Sequence, residues 1–431
     1  MIEKQLRKYI IPNVLAMAGT SCYVLADTFF ISASAGANGI TALNLVLPVY
    51  GLIFALGSML GVGSATRYAL EKSLGSQDAD NYFSNSILWT LLISLFFVAA
   101  GILCPGQILR LMGADQVILK QGLDYIRIVL CFTPFFMLNY TFTAFVRNDG
   151  APKLAMAATL SSGLFNILFD YILMFPLGLG MTGAALATAI SPMVSMAICL
   201  VHYLGGRNTI RFRLKPPSFK RLVSSCNLGV AAFVGEISSG ITTMVFNFVL
   251  LELAGNIAVA AYGVIANLAL VGTALLNGVS QGLQPLASRV HGSGDPQSER
   301  RIYRHALQIG LGIALVLVLA VLLSADQLVA VFNSEGSAAL AAYAGPGMRL
   351  YFLGFPLAAV NIIQTGCFSA TGQGKASSIL SLSRGVVAIA IFAFLISALW
   401  GVTGVWLAFP ASELFTLLLS QWMVGKSRQS P

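Results

Sequence analysis

Apolar and polar positions follow one another in long blocks along this chain. Residues 28–66, 171–206 and 253–288 contain no Asp, Glu, Lys or Arg, and each run exceeds the roughly 20 residues that cross a bilayer as a helix. Splitting the apolar blocks at Gly, Pro, Asn and charge clusters predicts twelve helices, at 10–33, 42–70, 82–104, 118–146, 153–175, 182–204, 221–250, 258–288, 303–323, 338–368, 376–397 and 402–425. The first block opens on MIEKQLRKYIIPNVLAMAG, with a basic start but no cleavage region, and reads as a retained membrane helix. The pattern predicts an all-α polytopic membrane protein.

Composition removes the soluble alternatives. Only 10% of the 431 residues are charged and 57% are hydrophobic, against roughly 25% charged in a soluble domain, so too little polar side chain exists to cover a wet surface. No nucleophile–base set and no GxxxxGK[ST] loop appears, which argues against an enzyme. The net charge of +9 sits in short clusters between apolar runs and therefore reads as an orientation signal, with no nucleic acid partner. Placing the N-terminus and every even-to-odd connection on one side collects twenty-one of the 25 Lys and Arg, Arg384 among them, and leaves Arg110, Lys120, Arg127 and Arg349 opposite. Both termini and the basic segment 207–221 are thus expected in the cytoplasm. The six Cys are scattered without paired spacing, and His202, His291 and His305 lack a zinc-ligand pattern, so no cofactor is expected and the histidines are assigned local solvent or headgroup roles.

The chain aligns on itself. At an offset of 217, Gly61, Gly75, Ser76 and Asp78 fall on Gly278, Gly292, Ser293 and Asp295; at 222, Arg127, Pro134, Asn139, Gly150 and Lys153 fall on Arg349, Pro356, Asn361, Gly372 and Lys375; at 221, GMTGAALA at 180–187 meets GVTGVWLA at 401–408. Six helices per repeat is an even number, so the two repeats run parallel, as in several secondary transporters. The expected organisation is a two-lobed bundle with an N-terminal lobe at 1–206, a linker at 207–220, a C-terminal lobe at 221–431 and a cleft between the lobes. Prolines at 12, 48, 134, 176, 192, 285, 356 and 410 lie in or at the edges of helices, where a missing donor and a ring clash bend or end them.

Four acids fall within the predicted spans: Asp27, Asp170, Glu236 and Glu413. A carboxylate inside the bilayer must face protein, water or an ion, or carry a proton. Asn166 stands one i,i+4 step before Asp170, on the same helix face. A carboxylate with an amide beside it suits a Na+ shell or a proton-carrying acid; the competing reading is a buried hydrogen-bond network that joins helices. Asp27 and Asp170 map by the duplication onto Met244 and Phe392, which points to one asymmetric site in the first half. Glu236 either attracts a cationic substrate or stabilises its helix, and Glu413 is placed near an interface. Arg127 and Arg349 suit snorkelling or pairing at the outer ends of their helices. Tyr23, Phe136 and Tyr140 are candidates for a substrate-facing wall.

VLADTFFI at 24–31, SLGSQDAD at 73–80, FNILFDYI at 165–172 and GVSQGLQPLASRVHGSGD at 278–295, on twelve spans with a 6+6 repeat, resemble the MATE family, the multidrug and toxic compound extrusion transporters, over essentially the whole chain. The resemblance implies a monomeric inner-membrane antiporter that exports amphipathic, mostly cationic small molecules in exchange for Na+ or H+. It also implies a cation site at Asp27, Asn166, Asp170 and Thr188, with Glu236 as a further proton or substrate position. A lipid-linked saccharide flippase or polysaccharide-precursor exporter of the same superfamily is the alternative, which the QGLQP segment disfavours.

Overall fold

The computed structural model describes residues 2–427, apart from 115, 207, 213–214 and 333–336. Among the described residues all regular structure is helical. Helices α1 (Gln5–Ala35) and α2 (Ala42–Ser73) are followed by α3 (Asp80–Leu103), α4 (Gln116–Cys131 and Thr133–Asn148), α5 (Pro152–Met174) and α6 (Gly180–Leu204). The second half holds α7 and α8 as the two arms of Phe219–Gly292, α9 (Pro296–Ala330), α10 (Ala338–Phe352 and Phe355–Ala370), and α11 and α12 as the two arms of Gly374–Met423.

Length decides how the longest runs are to be counted. At about 1.5 Å per residue, the 74 residues of Phe219–Gly292 would extend far beyond a hydrocarbon core of about 30 Å, so that run must turn and cross again. It leaves helical geometry at Gly255 (φ 70°, ψ −163°), and the α11–α12 run does so at Trp400 and Gly401 (φ 57°). These breaks fall in the predicted gaps at 251–257 and 398–401; among the described residues eight helices, or ten if each bent pair is one span, are long and apolar enough to cross a membrane. The gap predicted at 34–41 differs: no Pro interrupts it, and hydrogen bonding runs on through Ile2–Ser73.

The duplication is visible in backbone geometry. Helices α4 and α10 bend by 45° and 46° where Pro134 and Pro356 open their second arms, because proline cannot donate to the preceding turn. Gly150 and its repeat mate Gly372 both have positive φ (98° and 77°), as do Gly180 and Gly401 (50° and 57°), a conformation that favours glycine. The GS.D turn departs from strict equivalence, since positive φ falls on Gly75 in the first half and on Gly294 in the second.

The chain forms two compact units, one of Leu15–Glu236 with His291–Gly294 and one of Met1–Val14, Ile237–Val290 and Asp295–Pro431. They are called the N-unit and the C-unit below. Each unit therefore includes the beginning of a helix, α7 or α1, that continues in the other. Glycine makes this possible. In the N-unit a Cβ on Gly229 of α7 would lie 2.0 Å from the Met59 carbonyl oxygen of α2, and one on Gly63 would lie 2.2 Å from that of Ser225. In the C-unit Gly278 and Gly282 of α8 would each meet the backbone of the first turns of α1 at 2.7 Å. The QGLQP segment thus serves packing through Gly282, against Tyr9 and Ile10. Apolar cores fill each unit: Ile53, Tyr125, Ile126 and Val129 are buried in the N-unit, and Phe246, Ile265, Phe352 and Phe355 in the C-unit.

Candidate functional site

Close helix contacts bring three segments of the N-unit together. Gly183 lets α6 lie against the Leu173 backbone of α5, where a Cβ would come within 2.9 Å, and Gly163 of α5 accepts the Tyr23 ring of α1 at 3.0 Å from the same hypothetical atom. Tyr23 precedes Asp27 by one i,i+4 step, and Asn166 precedes Asp170 by another, so both acids descend from these contacts onto one shared face.

The four residues expected to form a cation site are assembled. Asp170 and Asn166 are completely buried, and the carboxyls of Asp27 and Asp170 lie within hydrogen-bonding reach of each other. Asn166 donates from Nδ2 to Thr188 Oγ1 at 3.2 Å, which leaves its own oxygen directed elsewhere. Asp27 Oδ1, both Oδ atoms of Asp170 and Asn166 Oδ1 receive no hydrogen bond among the described residues. Buried acceptors are nearly always satisfied, so three orphaned oxygens on two neighbouring carboxyls, with one orphaned amide oxygen beside them, mark a place suited to positive charge. An oxygen-only donor set fits a hard monovalent cation or a shared proton. No cluster of three His, Cys, Asp or Glu side chains suited to a metal ion occurs among the described residues.

Glu236 belongs to the same neighbourhood. Tyr140 Oη donates to its Oε1 at 3.3 Å, and Tyr23 lies within Coulomb range of both Asp27 and Glu236. Phe136 and Tyr140 continue into an aromatic wall that sequence reasoning missed in part, and Phe136, expected to face substrate, is instead buried with Tyr50 and Tyr125 in the N-unit core because α2 and both arms of α4 pack their rings together. Tyr50 meets Phe136 edge-on at 5.8 Å, Phe54 meets Phe136 at 5.7 Å and Tyr140 at 6.2 Å, and the Tyr50 and Tyr125 hydroxyls share a 3.4 Å contact. The i,i+4 pairs Tyr50/Phe54 and Phe136/Tyr140 were the available signal.

The repeat-related positions of the C-unit are closed by apolar groups. Ala388, Phe392 and Phe409 stand where Asn166, Asp170 and Thr188 stand in the N-unit, and Phe409 stacks on Tyr351 at 4.3 Å. Glu413, expected near an interface, is buried within the protein, and Arg384 binds it at 2.8 Å. Arg384 is accordingly no loop charge, because α11 carries it ten residues beyond Gly374. Arg349 pairs with Asp326 at 2.8 Å, and Arg127 pairs with Asp124 of its own helix at 3.4 Å.

A second polar cluster joins the segment after α6 to the rest of the N-unit. Asp149, between α4 and α5, accepts from Tyr68 Oη at 3.2 Å, from Thr209 N at 2.9 Å and from the Thr209 hydroxyl, and it contacts His202 Nε2 at 2.9 Å. His202 is therefore taken up by a carboxylate, in place of the solvent or headgroup role expected for it. Lys72 stands 3.6 Å from Asp149 and reaches Tyr68 and Thr209. Burial pushes the Asp149 carboxyl up, but the Thr209, His202 and Lys72 contacts together hold it below the usual carboxylate range. A cavity of about 210 Å³ lined by Leu6, Arg7, His305, Gln308 and Ile309 lies in the C-unit and contains none of the acids.

The sequence matches the MatE family over residues 12–172 and 231–395. The chain belongs to this family. Among relatives of this MATE protein, the multidrug export protein MepA of Staphylococcus saprophyticus is 27% identical over 428 residues, which cover 98% of this chain and 93% of the relative. MepA of Staphylococcus aureus (strain MRSA252) is 27% identical over 96% of this chain and 92% of its own. A solved multidrug resistance MATE family transporter in an outward-facing conformation superposes with a TM-score of 0.91 over 99% of this chain and 96% of that one, at 24% identity, which establishes the fold.

Proposed function

We propose that this MATE protein is a secondary antiporter that exports amphipathic, mostly cationic small molecules in exchange for Na+ or H+. The observation that carries the reading is the acceptor-only cluster of Asp27, Asp170 and Asn166 without a resident counter-charge. Two facing carboxylates in a dry site repel until a cation or proton lies between them, so ion occupancy changes the energy with which α1 is held against α5. That dependence is what alternating access needs in order to link one gradient to another. Thr188 holds the Asn166 amide so that its oxygen remains free for the ion, and Tyr23 lies near both Asp27 and Glu236, the latter accepting from Tyr140. The half-buried Phe54 and Tyr140 rings suit a lipophilic cation through apolar contact and cation–π attraction. The relatives' name, multidrug export protein, agrees with this substrate class.

The bias of basic residues supports an inner-membrane protein with both termini in the cytoplasm. Labelling of S218C from outside intact cells, in a background without native cysteines, would contradict that orientation. The function is tested in proteoliposomes by the movement of a lipophilic cationic dye under an imposed ion gradient. Gradient-driven dye movement is expected; transport of lipid-linked saccharide with none across a cation panel would replace the reading with the flippase alternative.

A further inference from the structure

The cavity of about 210 Å³ in the C-unit has a chemistry of its own. Leu6 and Arg7 line it from α1, and His305, Gln308 and Ile309 line it from α9. Its apolar side is continuous with the core, because Leu6 is completely buried in a cluster with Tyr9, Ile10, Ile302 and Ala306, against which Ile309 packs. Its polar side consists of Arg7 and Gln308, both exposed, and the half-buried His305. Among the described residues no carboxylate lines it.

The donors suit an anion. His305 Nδ1 stands 2.8 Å from the Arg301 carbonyl oxygen. A carbonyl can only accept, so Nδ1 carries a hydrogen and Nε2 is the ring nitrogen left for a ligand; beside an anion the ring is protonated and Nε2 donates. Arg7 brings a fixed charge and a fork of N–H groups that matches phosphate oxygens. The Gln308 amide adds two further donors.

Position along the helices selects among anions. No Asp, Glu, Lys or Arg occurs between Lys8 and Asp27, or between Arg304 and Asp326. Arg7 and His305 therefore stand where two apolar runs begin, the level at which a bilayer places its phosphates. The flanking sequence is basic, with Lys4, Arg7, Lys8, Arg289, Arg300, Arg301 and Arg304 against Glu3, Asp295 and Glu299. Asp295 is engaged by the first turn of α9, accepting from Gln297 N and Ser298 N at 3.1 and 3.0 Å. Arg289 donates to Tyr9 Oη at 3.1 Å, beside the same first turns of α1. A free inorganic anion has no use for the apolar side of the cavity, whereas a glycerophospholipid matches both sides.

We propose that this cavity binds the phosphodiester headgroup of an anionic phospholipid, with Arg7, His305 and Gln308 on the phosphate and Leu6 and Ile309 against the glycerol and upper acyl carbons. One lipid bound there bridges α1 to α9 and holds the first turns of α1 within the C-unit. The site is independent of the Asp27–Asp170 reading, and its test makes no use of transport.

The test uses full-length purified protein in detergent. Its unfolding midpoint is followed on addition of phosphatidylglycerol, of phosphatidylcholine, or of sodium phosphate against sodium chloride at equal ionic strength. Phosphatidylglycerol should raise the midpoint by several degrees, while phosphatidylcholine and inorganic phosphate should each have little effect. R7Q/H305Q should lose most of the phosphatidylglycerol rise, and R211Q/K215Q, which removes charge from the basic segment after α6, should keep it. I309W fills the cavity and leaves every charge in place; it should also lose the rise, and it decides the matter if R7Q/H305Q does not fold. An unchanged rise in I309W, or equal losses in R7Q/H305Q and R211Q/K215Q, would overturn the site. An equal rise with inorganic phosphate would overturn the lipid as its occupant.

Discussion

Replacing Asp170 by Asn preserves shape and removes one of two facing anionic groups, so stability and transport should respond in opposite directions. Two unit charges about 4 Å apart repel by about 4 kcal/mol at an effective dielectric constant near 20, which is an upper bound for the ionised, ion-free pair. The new amide also brings two donors to a place where Asp27 Oδ1 and Asn166 Oδ1 have none, and a hydrogen bond to a charged group contributes about 1.5–3 kcal/mol. D170N should therefore raise the unfolding midpoint of the detergent-solubilised protein in choline chloride at neutral pH. It should also flatten the rise that Na+ or acid gives the parent, because a ligand stabilises only the folded state that binds it. The same variant should lose uphill dye transport in proteoliposomes. A D170N protein that is destabilised, keeps its Na+ or acid response and transports at the parental rate would refute the reasoning, and would make the acids a structural hydrogen-bond network.

Three further outcomes follow from the same geometry. N166A removes an oxygen that an amide can offer to a metal ion but cannot use to carry a proton; a loss of about tenfold or more in apparent ion affinity, of the size seen when a metal site is disturbed, marks Na+, whereas near-parental coupling under a pH gradient marks H+. Asp149 is held below the ordinary carboxylate range, so its ionised form contributes stability above the unfolded value of about 3.9 and that contribution disappears as pH falls through the lower folded value. D149N should accordingly lower the midpoint at pH 7 by an amount equivalent to about 1 kcal/mol or more; the difference should begin to shrink only below the unfolded value of about 3.9 and vanish once pH lies below the lowered folded value, as read by thermal unfolding across pH. Gly229→Val places a side chain where even a Cβ lies 2.0 Å from a backbone oxygen, and loss of folded protein is expected in a fluorescence size-exclusion assay.

Much of the fold was legible because the bilayer imposes a length on apolar runs and proline imposes bends. Pro134 and Pro356 marked the two bent helices, and the gaps around Gly255 and Gly401 marked the breaks in the longest runs. The acids at 27 and 170 were legible because charge in an apolar run is costly wherever the helix lies. The pairing of Arg384 with Glu413 was not, since charge counting records only which loop a basic residue is nearest, while the contact joins α11 to α12 across 29 positions through a π turn that no periodicity predicts. The Tyr50–Phe54 part of the aromatic wall and the His202–Asp149 contact were missed for the same reason: helical spacing gives a face, and only packing gives the face its partner. Likewise the exchange of helix beginnings between the two compact units depends on Gly229 and Gly282 meeting particular backbone atoms.

Substrate flux under separately imposed Na+ and pH gradients, measured for the parent and for D27N in proteoliposomes, tests the central claim most directly. Flux in the parent should follow at least one of the two gradients, and D27N should retain downhill movement of substrate while losing the gradient-driven component. Full gradient-driven flux by D27N under both conditions would contradict the assignment of ion coupling to the Asp27–Asp170 site and would move the search to Glu236.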